Sequence, residues 1–279
     1  MKILILGGGY IGNRCKDAWP DAEICKDKIN SVSDAIAIID KYRPDAILNT
    51  IGIKGKPNVD WCETHQSETM WGNTVVPIMI AEACKQKNVY LLHIGSGCVF
   101  YGESPDPKGW VETDFANPQA TYSKSKYAAD LALSEYPNVG IARIRMPLDN
   151  IPSPGNIINK LVEYKKIIDV ENSLTVIEDM LDVFHKLLEM KAVGIYHVTN
   201  PGTIKHREIL DMYKEIVDSS ITKEWINEED LVKQKLATKK RSNNFLQTKA
   251  LDKLGIKMRP VKEAVKDSLE KYKKLKDEL

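Results

Sequence analysis

Charge of one sign is the first thing this sequence lacks. Its 279 residues carry 40 Lys and Arg against 39 Asp and Glu, a formal net charge of +1. That balance argues against a nucleic-acid or membrane-surface protein held by bulk electrostatics. Long apolar runs are missing too, and none approaches the roughly 18 residues of a membrane span. Met1-Lys2 passes at once into Ile3-Leu4-Ile5-Leu6 and then glycines, without the longer apolar core and small-residue cleavage site of a leader peptide. The five cysteines, Cys15, Cys25, Cys62, Cys84 and Cys98, all fall in the first hundred residues. They are odd in number and form no CxxC pair, which speaks against a disulfide framework or a zinc site. The histidines show no ligand spacing, so no metal is expected. A reducing, cytoplasmic setting follows from this cysteine usage. What the chain does have is apolar residues, 43% of the total. That is enough for a large core and excludes disorder for the bulk.

Short apolar runs alternate with helical patterns through the first half. Residues 3–6, 46–48, 89–94 and 139–144 read as buried strands, and a further strand should end near Cys25. Between them, 33–42, 68–87 and 119–135 read as amphipathic helices. Such alternation predicts a parallel sheet covered on both faces. The stretch 102–118, with Pro105, Pro107 and Pro118, reads as a loop of functional length. Pro152, Pro154 and Gly155 mark a break. Beyond it the chain mixes helices with few strand signals, and from Pro260 on it reads as an amphipathic helix.

Gly7-Gly8-Gly9-Tyr10-Ile11-Gly12 follows the first strand and opens a helix. It satisfies GxGxxG: Gly7 for the tight turn, Gly9 for backbone approach to a pyrophosphate, Gly12 for close helix–strand packing. The helix N-terminus, with Tyr10 and Ile11, offers N–H groups to the anion. The expected fold is a Rossmann-type, doubly wound α/β sheet. The expected division is a dinucleotide-binding domain at 1–148 and a smaller mixed α/β substrate domain at 149–279, some of whose segments pack back on the first. After the second strand, Asp27 would suit the ribose hydroxyl of NAD. Lys26, Lys28 and Arg14 would suit the extra phosphate of NADP. The signals conflict; the reading leans to NADP(H), with NAD possible.

Tyr122-Ser123-Lys124-Ser125-Lys126 opens the helix after the long loop. Tyr122 and Lys126 share one helix face. An ammonium beside a phenol favours phenolate, giving a group that can donate or remove a proton at a ketone oxygen. The spacing alone proves little, because Tyr272 and Lys276 repeat it. Position decides: upstream, Ser96-Gly97-Cys98 ends a buried strand, where open α/β sheets place their sites. Ser96 could hold a substrate carbonyl. Cys98, if near a cationic site, could ionise and act as a base; the blander reading is a buried structural cysteine.

With these motifs in this order, the chain resembles the extended short-chain dehydrogenase/reductases along essentially its whole length. Many of those carry a GxxGxxG turn, one residue longer than this one. Residues 55–63, 143–147, 200–202, 208–213 and 241–244 are similar to plant and viral UDP-rhamnose synthase epimerase/reductases. In a related family, the GDP-fucose synthases, a serine and a cysteine two residues later serve reduction and epimerisation, and Ser96 and Cys98 reproduce that spacing. The resemblance implies one site that performs 3,5-epimerisation and NADPH-dependent 4-keto reduction, converting UDP-4-keto-6-deoxy-D-glucose to UDP-L-rhamnose. It implies Lys160 as the group returning the proton, with Asn156, Arg241 and Asn244 on the substrate. It further implies Asn49, Thr50, Ile51, Gly52 and Asn73 beside the cofactor, and a homodimer formed through the helices at 68–87 and 119–135. Two alternatives stand beside it. One is a 4-ketoreductase of the dTDP-4-dehydrorhamnose type with Cys98 silent, and the other is a non-catalytic regulatory subunit of the same fold.

Overall fold

In the computed structural model, which describes residues 1–56 and 58–278, the chain opens with β1 (Ile3–Leu6), α1 (Tyr10–Ala18), β2 (Glu23–Cys25), α2 (Val32–Tyr42) and β3 (Ala46–Asn49). Pro57, inside the 55–63 stretch that carries part of the resemblance, lies outside the described residues, as does Leu279. All four side chains of β1 are buried, as its unbroken apolar run requires of a strand covered on both faces. Helix α2 starts where the Ser31 hydroxyl accepts the Asp34 N–H at 3.1 Å. It buries Ala35, Ile38 and Ile39 along one stripe.

The helix expected over 68–87 is not one α-helix. It consists of α3 (Gln66–Met70), a wide π-helical turn at Trp71–Val75, and α4 (Val76–Gln86). Pro77 lies in the first turn of α4 and has no N–H to return to the preceding turn, which therefore opens. Next come β4 (Tyr90–Ser96), α5 (Thr121–Leu133) and β5 (Val139–Ile144).

The second half holds more strand than its sequence signals. It runs α6 (Ile157–Glu163), β6 (Lys166–Ile168), β7 (Glu171–Asn172), α7 (Ile177–Glu189), β8 (Gly194–His197), β9 (Ile204–Lys205), α8 (His206–Ile216), β10 (Glu224–Ile226), α9 (Glu228–Lys233), α10 (Lys249–Lys253) and α11 (Val261–Asp277). Most of these strands are two or three residues long, too short for an alternating pattern to register.

The main sheet has the order β2-β1-β3-β4-β5-β8. β1 pairs in parallel with both β2 and β3, and β3 with β4. The order reverses between β1 and β3, the place where open α/β sheets leave a crevice beyond their C-terminal strand ends. This is a Rossmann-type α/β sheet. Two small sheets pair β6 with β10 and β7 with β9.

The chain forms two compact units of three segments each. The first comprises Met1–Val99, Ala116–Arg143 and Val183–Tyr196. The second comprises Phe100–Phe115, Ile144–Asp182 and the chain from His197 on. This is more interleaved than a single boundary at 148–149. The core of the first unit packs Leu4, Leu6, Ile47, Ile80, Leu91, Leu133 and Ile141. That of the second packs Leu148, Leu161, Leu174, Ile209, Tyr213, Val265 and Leu269. Among the described residues no helix is long and apolar enough to cross a membrane.

Candidate active site

The glycine turn is shaped by backbone contacts. Gly7 has φ +102°, and its N–H donates to Cys25 O at 2.9 Å, tying the turn to the end of β2. A Cβ on Gly12 would lie 2.1 Å from Gly7 O, so only glycine fits there. Gly9 differs: a Cβ there would meet nothing within 4 Å. Gly9 is the N-cap of α1 and offers no side-chain cap. Gly9 is exposed, and the open space over it at the positive end of a helix leaves room for a pyrophosphate. Tyr10 and Ile11 form the first helical turn, and Arg14 is half-buried one turn on.

Lys26 leans over this turn, its Cε 2.5 Å from where a Gly8 Cβ would be. Asp27 is exposed, with Lys41 3.8 Å away and the Cys25 thiol hydrogen-bonded to it. A cation over the turn suits a cofactor with an additional phosphate. Lys28 is exposed nearby in sequence.

Beyond β3, the Thr50 hydroxyl sits 2.9 Å from Leu6 O and 3.0 Å from Gly7 O, bracing the turn from beneath. Ile51 is half-buried and Gly52 exposed. Asn49 and Asn73 depart from expectation. Asn49 is fully buried. Its Oδ1 accepts the Ile51 N–H at 3.0 Å, and its Nδ2 donates to His93 Nδ1 at 3.0 Å. It braces β4 and does not face the crevice. Asn73, in the π-helical turn, accepts from Ile53 N at 2.7 Å and donates to Ile53 O at 2.8 Å and to Ser125 Oγ at 3.0 Å. Both amide hydrogens are committed, so Asn73 fixes the post-β3 segment and α5 instead of touching a cofactor.

Ser96, Cys98, Tyr122 and Lys126 come together in the first unit. The Ser96 hydroxyl accepts the Cys98 N–H at 3.2 Å and hydrogen-bonds to the Tyr122 side chain. Of the five free cysteines, four are buried and Cys98 is half-exposed. The expectation for Tyr122 needs correcting. Burial first, then the negative charge Cys98 carries when ionised, hold its hydroxyl above the usual phenol range, and the Ser96 hydrogen bond opposes them. In this environment Tyr122 is a phenol, a proton donor, not the phenolate that an adjacent ammonium would give. Lys126 is buried, and its Nζ donates to Ile94 O at 2.7 Å. Burial pushes it down to about 8, against the pull of Asp130.

Three positioning groups escaped the sequence reading. Glu63 caps α5, its Oε1 accepting the Thr121 N–H at 2.7 Å. Asp130 pairs with Arg143 at 2.8 Å, both 1% exposed, anchoring the far end of α5 to β5. Spacing could have revealed Asp130, which continues the Tyr122–Lys126 face at four-residue intervals. His93, fully buried, lies with Nε2 3.1 Å from Lys126 Nζ; nothing local in the sequence marks it.

The remaining expected residues belong to the second unit. Lys160 is half-buried on α6, and Arg241 is half-buried before Ser242. Asn156 is no substrate ligand. Its amide caps α6 by accepting from Ile158 N at 3.1 Å, accepts from Asp149 N at 3.2 Å, and donates to Asp149 O at 2.7 Å and Ile151 O at 3.0 Å. Asn244 likewise directs both amide hydrogens inward, to Phe100 O at 2.9 Å and Ser242 Oγ at 2.8 Å.

Comparison with known proteins agrees with this geometry. Residues 1–274 match the model of the RmlD substrate binding domain. The bifunctional dTDP-4-dehydrorhamnose 3,5-epimerase/dTDP-4-dehydrorhamnose reductase of Arabidopsis thaliana is 32% identical over 264 residues, covering 92% of this chain and 87% of its own. The crystal structure of the L780 UDP-rhamnose synthase from Acanthamoeba polyphaga mimivirus superposes with a TM-score of 0.89 at 28% identity, over 97% of this chain and 99% of that one. A dTDP-4-dehydrorhamnose reductase from Bacillus anthracis, solved in complex with NADP, shares the fold with a TM-score of 0.82 at 20% identity, over 95% of this chain and 97% of its own. A glycine turn, a Ser–Tyr–Lys set on β4 and α5, and a match running from the first strand into the last helix lead to one conclusion: the chain belongs to the RmlD substrate-binding-domain family, within the extended short-chain dehydrogenase/reductases.

Proposed function

We propose that this chain is a bifunctional, NADPH-dependent 3,5-epimerase/4-ketoreductase that converts UDP-4-keto-6-deoxy-D-glucose to UDP-L-rhamnose. The observation that carries the reading is Cys98. It is the one half-exposed cysteine of the chain, two residues from the serine that hydrogen-bonds the tyrosine. A reductase alone has no use for a thiol there. The Arabidopsis relative carries both activities in its name, and the mimivirus neighbour is a UDP-rhamnose synthase.

The chemistry follows from the keto sugar. Its C4 carbonyl acidifies the hydrogens at C3 and C5. Cys98 as thiolate removes each proton, and the enolate oxygen is held by hydrogen bonds from Ser96 and Tyr122. Lys160 is the candidate for the group that returns the proton, which must arrive on the other face of the sugar to invert the centre. NADPH, when bound, supplies the hydride for C4. Gly7, Gly9, Gly12 and the α1 N-terminus would hold its pyrophosphate, with Lys26, Lys28 and Arg14 near its additional phosphate. Tyr122, kept as a phenol, donates the proton to the C4 oxygen. Arg241 remains a candidate for the substrate phosphates. The protein would work as a homodimer paired through the helical stretches 68–87 and 119–135, which sedimentation at micromolar concentration would show as a doubled mass.

The test is turnover in deuterated water with UDP-4-keto-6-deoxyglucose and NADPH, on wild type and Cys98→Ala. The expected product is UDP-L-rhamnose carrying deuterium at C3 and C5, with label and rhamnose lost in Cys98→Ala. NADPH oxidation without deuterium at those carbons would leave a simple 4-ketoreductase. The same assay on the dTDP-linked keto sugar decides the nucleotide.

A further inference from the structure

His93 has a proton arrangement that its neighbours dictate. The Ile51 N–H donates to Asn49 Oδ1 at 3.0 Å, which fixes the amide with Nδ2 towards His93. That Nδ2 lies 3.0 Å from His93 Nδ1. An amide nitrogen only donates, so Nδ1 must be the bare, accepting nitrogen. A neutral imidazole then carries its hydrogen on Nε2. Nε2 lies 3.1 Å from Lys126 Nζ, so this hydrogen points at the lysine nitrogen. An ammonium has no lone pair to receive it, and a free amine has one. The contact is thus a hydrogen bond with the amine form and an opposition of donors with the ammonium form.

Burial acts in the same sense. The imidazole is fully buried and held well below its usual range, first by desolvation and then by Lys126, so it stays neutral. Lys126 itself is brought down to about 8 by burial. The other ionisable groups around it are Asp130, one turn on and paired with Arg143 of β5, and Tyr122, one turn back with Cys98 and Cys62 beside it. Glu63 is committed to Thr121 at the head of the helix.

We propose that His93 is a positioning residue: locked by Asn49 as the Nε2–H tautomer, it holds Lys126 through the amine and makes this lysine a proton-exchanging group instead of a permanent cation. The proposal rests on the reading of Tyr122 as the proton donor to a ketone. Donation leaves Tyr122 as phenolate, and the ammonium form of Lys126 holds the proton that restores it, itself becoming the amine that His93 receives. Reduction therefore requires the ammonium before each turnover and declines as the pH rises through the Lys126 titration.

Long-range proton–nitrogen NMR of the full chain, labelled at histidine, tests the tautomer without any substrate. His93 should show hydrogen on Nε2 and none on Nδ1, with the Nε2 resonance stepping near pH 8 as Lys126 titrates. Competitive acylation should place the Lys126 midpoint at the same pH. In His93→Gln, whose amide can turn its oxygen to the ammonium, the acylation midpoint and the alkaline limb of NADPH oxidation should both rise by about one pH unit, a tenfold change in the proton equilibrium. In His93→Leu, which fills the space without the hydrogen bond, the limb should also rise, while a purely packing role would leave it in place. A proton on Nδ1, or a Lys126 midpoint unmoved in His93→Gln, overturns the proposal. Should His93→Gln not fold, the wild-type tautomer and coupled titration still decide. Should wild type reduce no keto sugar, the functional reading fails, and the NMR and acylation results still judge His93.

Discussion

Adding one methyl group should separate two roles within the glycine turn. On Gly12 a Cβ would press to 2.1 Å from Gly7 O, while on Gly9 it would meet nothing within 4 Å. Gly12→Ala should therefore destabilise the protein by about 1–3 kcal/mol through overpacking, besides weakening NADPH binding. Gly9→Ala should leave thermal stability unchanged and weaken NADPH at least about tenfold. Calorimetry and fluorescence titration of the two variants check both halves. Lys126 offers a second residue-level test, through linkage. Its folded value near 8 lies below the ordinary 10.5. Below pH 8 the fold carries the cost of a buried ammonium. Between about 8 and 10.5 the unfolded chain binds more protons, so stability rises with pH across that window. Lys126→Met should be more stable than wild type at pH 7, by at most about 3 kcal/mol, and the advantage should shrink as pH climbs from 8 to 10.5. A pH-independent gap in urea unfolding would mean that Lys126 titrates normally.

Helix α5 carries two of the candidate catalytic side chains, Tyr122 and Lys126, and it is fastened at each end. At its start Glu63 accepts the Thr121 N–H; Glu63→Ala should cost about 1 kcal/mol and lower kcat more than it raises KM, because Tyr122 is the next residue. Near its end the buried Asp130–Arg143 pair is more demanding. Asp130→Ala leaves an uncompensated guanidinium and should cost about 3–5 kcal/mol, while Asp130→Leu combined with Arg143→Met should recover most of it. Chemical denaturation of the single and double variants measures this directly. The sequence made α5 and the strands β1, β3, β4 and β5 legible, because each is an uninterrupted apolar or periodic run. It made Ser96, Cys98, Tyr122 and Lys126 legible as well, because strand end and helix start are local signals. It could not show the opening of the helix at Trp71–Val75, which depends on one proline within a good helical pattern. Nor could it show that Asn49, Asn73, Asn156 and Asn244 turn their amides inward. An asparagine reads alike in sequence whether it meets a ligand or another strand, and the Asn49–His93 pair spans 44 positions.

At the scale of the whole molecule, neither unit is a continuous stretch of chain. The first needs Val183–Tyr196. That segment supplies β8 at the edge of the sheet and Ala192, whose carbonyl accepts the buried Tyr90 hydroxyl at 2.7 Å. A fragment of residues 1–148 contains every glycine of the turn and the whole Ser–Tyr–Lys set. It should nevertheless show no cooperative unfolding transition, whereas the full chain shows one; circular dichroism against urea distinguishes the two. The late position of β8 also sets a timetable for synthesis. A ribosome adding roughly 5–20 residues per second takes about 3–10 s to travel from the end of β5 to the end of β8. For that interval β5 is the edge strand in place of β8, and an unpaired edge is the kind of surface that recruits stray strands. Every newly made copy thus passes through a stage at which Ser96, Cys98, Tyr122 and Lys126 are already translated and β5, an inner strand of the finished sheet, is still open on one side.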